Sequence, residues 1–207
     1  MRSICVFAVA LSFCVAVGEM PAAAPVPKGA LKRGPVSCAI KGEATCELGK
    51  APQITVALTN LTDADIYLVG SLDASDCKWR YPHCYFEVIG PDGKSAVRET
   101  ARCGNMNPLL AKDFVKVPAG KAFDPYQRTD QHGFFSARQL SPQTFRELGK
   151  YRIRFVYSTK SDDIGNWGGD GRRNVVTDKA LVDLLKQVPK VEIRSDEFTL
   201  TVVAPAK

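Results

Sequence analysis

A two-residue rhythm constrains this chain more than any other feature. In Tyr151-Arg152-Ile153-Arg154-Phe155-Val156-Tyr157, the side chains of Tyr151, Ile153, Phe155 and Tyr157 share one face while both arginines take the other. Successive side chains alternate only on an extended strand, so the segment reads as a strand with one buried and one solvated face. Gln53-Ile54-Thr55-Val56-Ala57-Leu58-Thr59 repeats the pattern with Ile54, Val56 and Leu58. Further strands are expected over 65–69, 85–89 and 113–117, and a last one within 191–203. Turn residues divide them. Gly90-Pro91-Asp92-Gly93-Lys94 is the clearest case, since Pro91 presets its own φ and Gly93 can take a positive one. About seven strands joined mostly by short turns, without alternating helices, predict an all-β antiparallel sandwich and not a parallel α/β sheet.

One segment carries a different period. In the stretch from Thr177 to Val188, Leu181, Leu184, Leu185 and Val188 fall on one helical stripe, with Thr177 suited to the N-cap and Pro189 to the stop. A short amphipathic helix is therefore expected before the final strand. It closes an insertion over 160–190 that opens with SDDIGNWGGDGRRN, long for a connection between strands of one sandwich.

The N-terminus bears on compartment. Met1-Arg2-Ser3 is followed by the apolar run ICVFAVALSFCVAV and then Gly18-Glu19, which is the pattern of a secretory signal peptide. The expected signal covers 1–18, with cleavage as late as 24. An Ala/Pro-rich lead follows over 19–35, and the domain occupies 36–207. Lipidation at Cys14 is disfavoured by the bulk of Phe13 before it. No other run approaches the roughly 20 apolar residues that a membrane-spanning helix needs, so the mature protein is expected to be secreted or periplasmic.

Export makes the cysteines a disulfide question. Cys5 and Cys14 lie in the signal, leaving Cys38, Cys46, Cys77, Cys84 and Cys103. Two bridges and one odd thiol are expected. Local pairing suggests Cys38 with Cys46 and Cys77 with Cys84, and Cys103 can replace either member of the second pair. A zinc site is not expected: CxxC is absent, and the two histidines, His83 and His132, lie far apart in the chain.

Around Tyr151 the sequence Glu147-Leu148-Gly149-Lys150-Tyr151-Arg152-Ile153 resembles the tyrosine corner of immunoglobulin-like domains. Ile153 stands where antibody domains place a cysteine, which implies a module without the inter-sheet bridge. Residues 54–157, about half of the chain, are similar to sandwich modules of secreted bacterial proteins. These include the non-catalytic N-terminal domain of deuterolysin-like metallopeptidases and the intracellular proteinase inhibitor family of bacilli. The shared features are a strand ending Leu58-Thr59-Asn60, the Phe86-Glu87-Val88 strand, the Ala119-Gly120 turn and Gly149-Lys150-Tyr151. They imply a fold and carry no catalytic residue. The HExxH of those peptidases has no counterpart here.

Other chemistries fail on context. His83 and Cys84 are neighbours on a strand and so point to opposite faces, which no nucleophile and base can use. A GxSxG elbow is absent, and Gly168-Gly169-Asp170-Gly171 lacks the Lys-Ser/Thr ending of a phosphate loop. Asp162, Asp163, Asn166 and Asp170 offer oxygens that suit calcium, but their spacing misses the EF-hand rule, and turn formation accounts for them. The net charge of +6 is spread along the chain; nucleic-acid binding needs a cluster.

The expectation is a non-enzymatic protein without cofactor or metal, acting as a binding or structural module. Its candidate partner-binding residues are Trp79, Tyr81, Asp163, Trp167, Asp170 and Arg172, with a protein or a glycan as partner and the oligomeric state open. Phe134 or Phe135 can also anchor a partner. Two alternatives stand beside this reading. One is a proteinase inhibitor, and the other is a carbohydrate or cell-envelope binder that uses Trp79, Tyr81 or Trp167.

Overall fold

The computed structural model describes residues 34–97, 107–126, 137–168 and 179–206, all within one compact unit, Lys32–Lys207. The chain is mostly β and its sheets are mostly antiparallel. Ten strands occur among the described residues: β1 Val36–Gly42, β2 Thr45–Glu47, β3 Ile54–Asn60, β4 Ile66–Val69, β5 His83–Ile89, β6 Phe114–Val117, β7 Ala122–Phe123, β8 Gly149–Ser158, β9 Glu192–Arg194 and β10 Phe198–Val203. A helix, α1, spans Lys179–Lys186. None of the described helices is long and apolar enough to cross a membrane.

The strands form three sheets. One has the order β1-β3-β7, the second runs β2-β10-β8-β5 with β9 added beside β8, and the third is the pair β4-β6. All pairings are antiparallel except that of β2 with β10. The ten-residue β8 is the spine of the second sheet, because its alternation supplies Tyr151, Ile153, Phe155 and Tyr157 to the interior. One continuous core takes Val56 and Leu58 from β3, Cys84, Phe86 and Val88 from β5, Leu68 and Val69 from β4, and Leu200 and Val202 from β10.

The period-two segments became strands within a residue or two of their expected limits. The last one is interrupted. Ser195 sits between β9 and β10, where its hydroxyl accepts the Phe155 N–H at 3.0 Å and its own N–H donates to the Phe155 carbonyl at 2.9 Å. Those bonds break the regular ladder, so one expected strand is two. Strands β1, β2 and β7 were not anticipated; each is short or only weakly alternating in sequence.

Asn60 ties two sheets together. It is fully buried at the end of β3. Its Nδ2 donates to the carbonyls of Ala64 at 2.7 Å and of Val117 on β6 at 3.0 Å, and its Oδ1 accepts from the Thr62 N–H and hydroxyl at 2.9 and 2.7 Å. A buried amide with all its capacity used is a specific joint rather than a penalty.

The corner before β8 has the expected local physics. The Tyr151 hydroxyl donates to the Glu147 carbonyl at 3.2 Å and accepts the Glu147 N–H at 3.1 Å. Gly149 has φ +129°, and a Cβ there would lie 3.1 Å from Pro91. In the facing turn Gly93 takes φ +79°, and its N–H donates to the Gly90 carbonyl at 3.0 Å. Tyr151→Phe removes both hydroxyl bonds and leaves the Glu147 amide unpaired, so it is expected to cost about 1–1.5 kcal/mol. Urea unfolding measures this directly, and an unchanged midpoint would mean that Gly149 alone holds the corner.

The local disulfide pairings are corrected. Cys38, Cys46 and Cys84 are free thiols, and no bridge joins Cys38 to Cys46 or Cys77 to Cys84. Proximity in sequence misleads because strands send neighbours to different places. Cys38 lies on β1 against the core, whereas Cys46 lies on β2, a strand of another sheet. Cys84 points into the core from β5 with no exposed area, and Cys77 lines an outer groove. Burial pushes the Cys38 thiol up to about 12 and the Cys84 thiol well above its ordinary value. Cys103, the signal segment 1–18, most of the lead over 19–35, and Phe134 and Phe135 lie outside the described residues.

Candidate functional site

A groove of about 910 Å³ crosses the outer face of the second sheet. Strand alternation builds its floor. The side chains of β5 that turn away from the core are Tyr85, Glu87 and Ile89, and those of β8 are Arg152 and Arg154. Glu87 stands opposite Arg154 and Ile89 opposite Arg152 in the ladder. Glu197, just before β10, completes the floor, and the segment from Asp76 to Trp79 forms one wall.

Charges on the floor are mutually paired. Arg194 reaches Glu87 at 2.8 Å, and Glu197 lies 3.3 Å from Arg154 and 3.9 Å from Arg152. These pairs are partly exposed and each adds little to stability. Their effect is on the field, since the described lining carries three cations, Lys78, Arg152 and Arg154, against three carboxylates, Asp76, Glu87 and Glu197.

Trp79 is the exposed aromatic of the wall. It is 51% exposed, more than any other large apolar residue described except Leu148. Tyr85 is not equally open, because the Lys78 ammonium covers its ring at 4.2 Å from the centroid. Lys78 has φ +63°, a left-handed backbone that few non-glycine residues adopt. Backbone bonds hold that turn: Lys78 N–H to the Ser75 carbonyl at 3.3 Å and Trp79 N–H to the Ala74 carbonyl at 3.2 Å.

Beneath the wall sits a buried arginine. Arg80 is 1% exposed. Its guanidinium meets Asp73 at 2.9 Å and donates to the carbonyls of Asn107 and Trp167. Three chain segments, near 73–80, 107 and 167, thus converge on one fork-shaped donor group, which suits arginine and no other side chain. Burial pulls the Arg80 guanidinium below its ordinary value, and the nearby Asp73 carboxylate opposes that shift. Trp79 is therefore presented from a rigid base.

The described candidate residues taken from the sequence are not brought together as one site. Trp79 faces the groove. Tyr81 is partly buried, stacked on His83 at 4.0 Å and 5.8 Å from Trp167. Trp167 has no exposed area, and its indole N–H donates to the Ser161 carbonyl at 3.0 Å, so it offers no surface to a partner. Asp163 is occupied by its own turn, its Oδ1 accepting the Gly165 N–H at 2.8 Å. The Lys190 ammonium stands 3.4 Å from Asp162, and Asn166 donates to the Ser161 hydroxyl at 2.9 Å. Turn formation and a protein cation engage these oxygens; Asp170 and Arg172 lie outside the described residues.

The described part of the 160–190 insertion directs its apolar groups inward. Leu181, Leu185 and Val188 join Trp167 in the core. His83 and Cys84 do point apart, His83 against Tyr81 and Cys84 into the core. Burial lowers the His83 pKa and raises that of Cys84.

The groove itself was not legible as a site. Its floor comes from β5, β8 and the approach to β10, distant in sequence. Besides Trp79, the sequence signal was the outward pair Arg152 and Arg154, whose alternation was evident without any indication of what lay beside it. No protein-family model matches the chain, and no curated protein matches it.

Proposed function

We propose that this protein is a secreted, non-enzymatic binding module, an immunoglobulin-like β-sandwich whose ligand lies in the groove on the outer face of the β5-β8 sheet. The single observation that carries the reading is the half-exposed Trp79, held over that groove by the buried Arg80. A large apolar ring on a rigid base beside a concave surface is the usual anatomy of a recognition site, where ordering costs little on binding. The sandwich assignment draws support from the shared core of the sheets and from the hydroxyl bonds at Tyr151. Export draws support from the N-terminal apolar run.

Trp79 makes the reading testable by light. The chain has two tryptophans, and Trp167 is shut inside the core, so a ligand that changes fluorescence by contact must act through Trp79. Chromatographic fractions of the producing cells' extracellular or periplasmic extract are expected to include one that quenches or blue-shifts the wild-type emission. The same fraction should leave Trp79→Phe unchanged. If every active fraction acts equally on both proteins, the groove is not the site.

A further inference from the structure

We propose that the groove takes a neutral oligosaccharide, an inference that rests on the groove being the ligand site and adds the chemistry of what enters it. A pyranose has an apolar face of C–H groups and a rim of hydroxyls, each both donor and acceptor. Three features of the groove match those properties.

The first is the aromatic platform. Trp79 presents an open indole, whose electron-rich face attracts the polarised C–H groups of a sugar ring. The second is the charge balance of the lining. An anionic ligand would meet Arg152 and Arg154 already opposed by Glu197, and a cationic one would meet Glu87 already held by Arg194. A charge on either ligand would have to compete with a protein partner already in place. Guanidinium and carboxylate groups in exposed pairs still have unused donors and acceptors, and a row of planar groups of both kinds is suited to hydroxyls.

The third is the edge of β5. Phe86 and Val88 line the groove, yet their side chains are buried, 3% and 0% exposed. What they contribute to the wall is backbone. On that edge Cys84 N–H donates to the Ser75 carbonyl at 3.2 Å, and the Val88 carbonyl accepts from Ala96 N–H at 2.8 Å. Strand alternation turns the N–H and C=O of Phe86 the same way, between those two bonds. Ser75 and Ala96 occupy the edge at either end, which leaves about 13 Å of strand at roughly 3.3 Å per residue. A peptide strand cannot lie along it without displacing one of them, whereas a sugar can meet one donor and one acceptor. The volume of about 910 Å³ gives room for several sugar units.

The test titrates wild type, Trp79→Phe and Trp79→Ala by calorimetry, with wild-type fluorescence read in parallel. The probes are neutral hexasaccharides (cello-, malto-, xylo- and chito-series), anionic ones (polygalacturonate and chondroitin sulfate fragments) and an extended Val/Thr-rich peptide. At least one neutral series should bind and perturb Trp79, more tightly with chain length. Its affinity should be unchanged at about 0.5 M salt, where exposed charges are screened. Trp79→Ala should lose about tenfold or more, as removal of a tryptophan anchor does, with Trp79→Phe between. Thermal unfolding of Trp79→Ala confirms that it remains folded.

Binding confined to the anionic fragments, or to the peptide, overturns the neutral-sugar assignment while the groove stands. Failure of every neutral series also overturns it, and the extract fractionation then decides separately whether the groove binds anything. Neutral-sugar binding that survives intact in Trp79→Ala overturns the assignment to this groove.

Discussion

Arg80→Ala is expected to destabilise the fold by about 3 kcal/mol, the lower end of the range for removing one partner of a buried ion pair. The lower end applies because the Asp73 carboxylate keeps some contact with water, its side chain being 16% exposed. The loss has three sources. Asp73 is left without its cation, the carbonyls of Asn107 and Trp167 lose their donor, and a cavity opens beside Trp167. For a domain of this size such a loss corresponds to a fall in Tm of about 6–12 °C. Arg80→Lys should fail to rescue it, since an ammonium on a flexible stem cannot present donors in a planar fork to separate acceptors. Because the same group fixes the base of Trp79, both variants should also weaken whatever binds in the groove. A loss below about 0.5 kcal/mol by urea unfolding, within the range of an ordinary surface change, would show that the three segments are held by something else.

Alkaline pH should unfold the protein unusually readily, with an onset near the ordinary thiol value of 9.0. In the unfolded chain Cys38 and Cys84 deprotonate from there upward. In the folded protein burial holds Cys38 protonated up to about 12 and Cys84 well above its ordinary value. Between those limits the folded state binds more protons than the unfolded one, so stability falls as pH rises, and below the onset these groups contribute no pH dependence. The slope is at most about 1.4 kcal/mol per pH unit for each thiol. Tyr126 and Tyr157, whose pKa values burial also raises well above the ordinary value of 10.0, steepen it higher up. Urea midpoints from about pH 7 to about pH 11 measure the slope. Cys84→Ala should flatten it; an identical slope in that variant would mean that the thiol is not buried as a neutral group.

The two predictions share an origin in groups whose sequence context gave no warning. Arg80 sits in Trp79-Arg80-Tyr81-Pro82-His83, an aromatic and basic run from which only Trp79 and Tyr81 stood out as candidate partner residues. Tertiary structure instead divides it residue by residue, with Trp79 outside, Arg80 inside and Tyr81 stacked on His83 between them. Periodicity cannot see this, because the run is a loop without a repeating geometry. The cysteines show the same limit. Spacing alone favoured Cys38 with Cys46, but partners are set by which sheet each strand joins, a long-range matter that neighbouring residues do not encode.

The SDDIGNWGGDGRRN stretch lies between these extremes. Its Asp, Asn and Gly content foretold turns, and Asp163 does cap one. Its tryptophan, a candidate partner residue in the sequence, is fully buried, and its depth in the core left it no role at a surface.

By itself the sequence determined the alternation of β3 and β8, the strand character of β5 and β6, the Gly93 and Gly149 backbone conformations, the Tyr151 hydroxyl bonds and the stripe of α1. Each of these rests on bonds or side-chain directions set within a few residues. Only the tertiary structure decided the order of strands in the sheets, the burial of Arg80, the separation of Cys38 from Cys46 and of Cys77 from Cys84, and the groove. Each of those depends on which distant segments meet. The faces that meet are apolar and nearly interchangeable, since burial rewards area removed from water and not the identity of the neighbour.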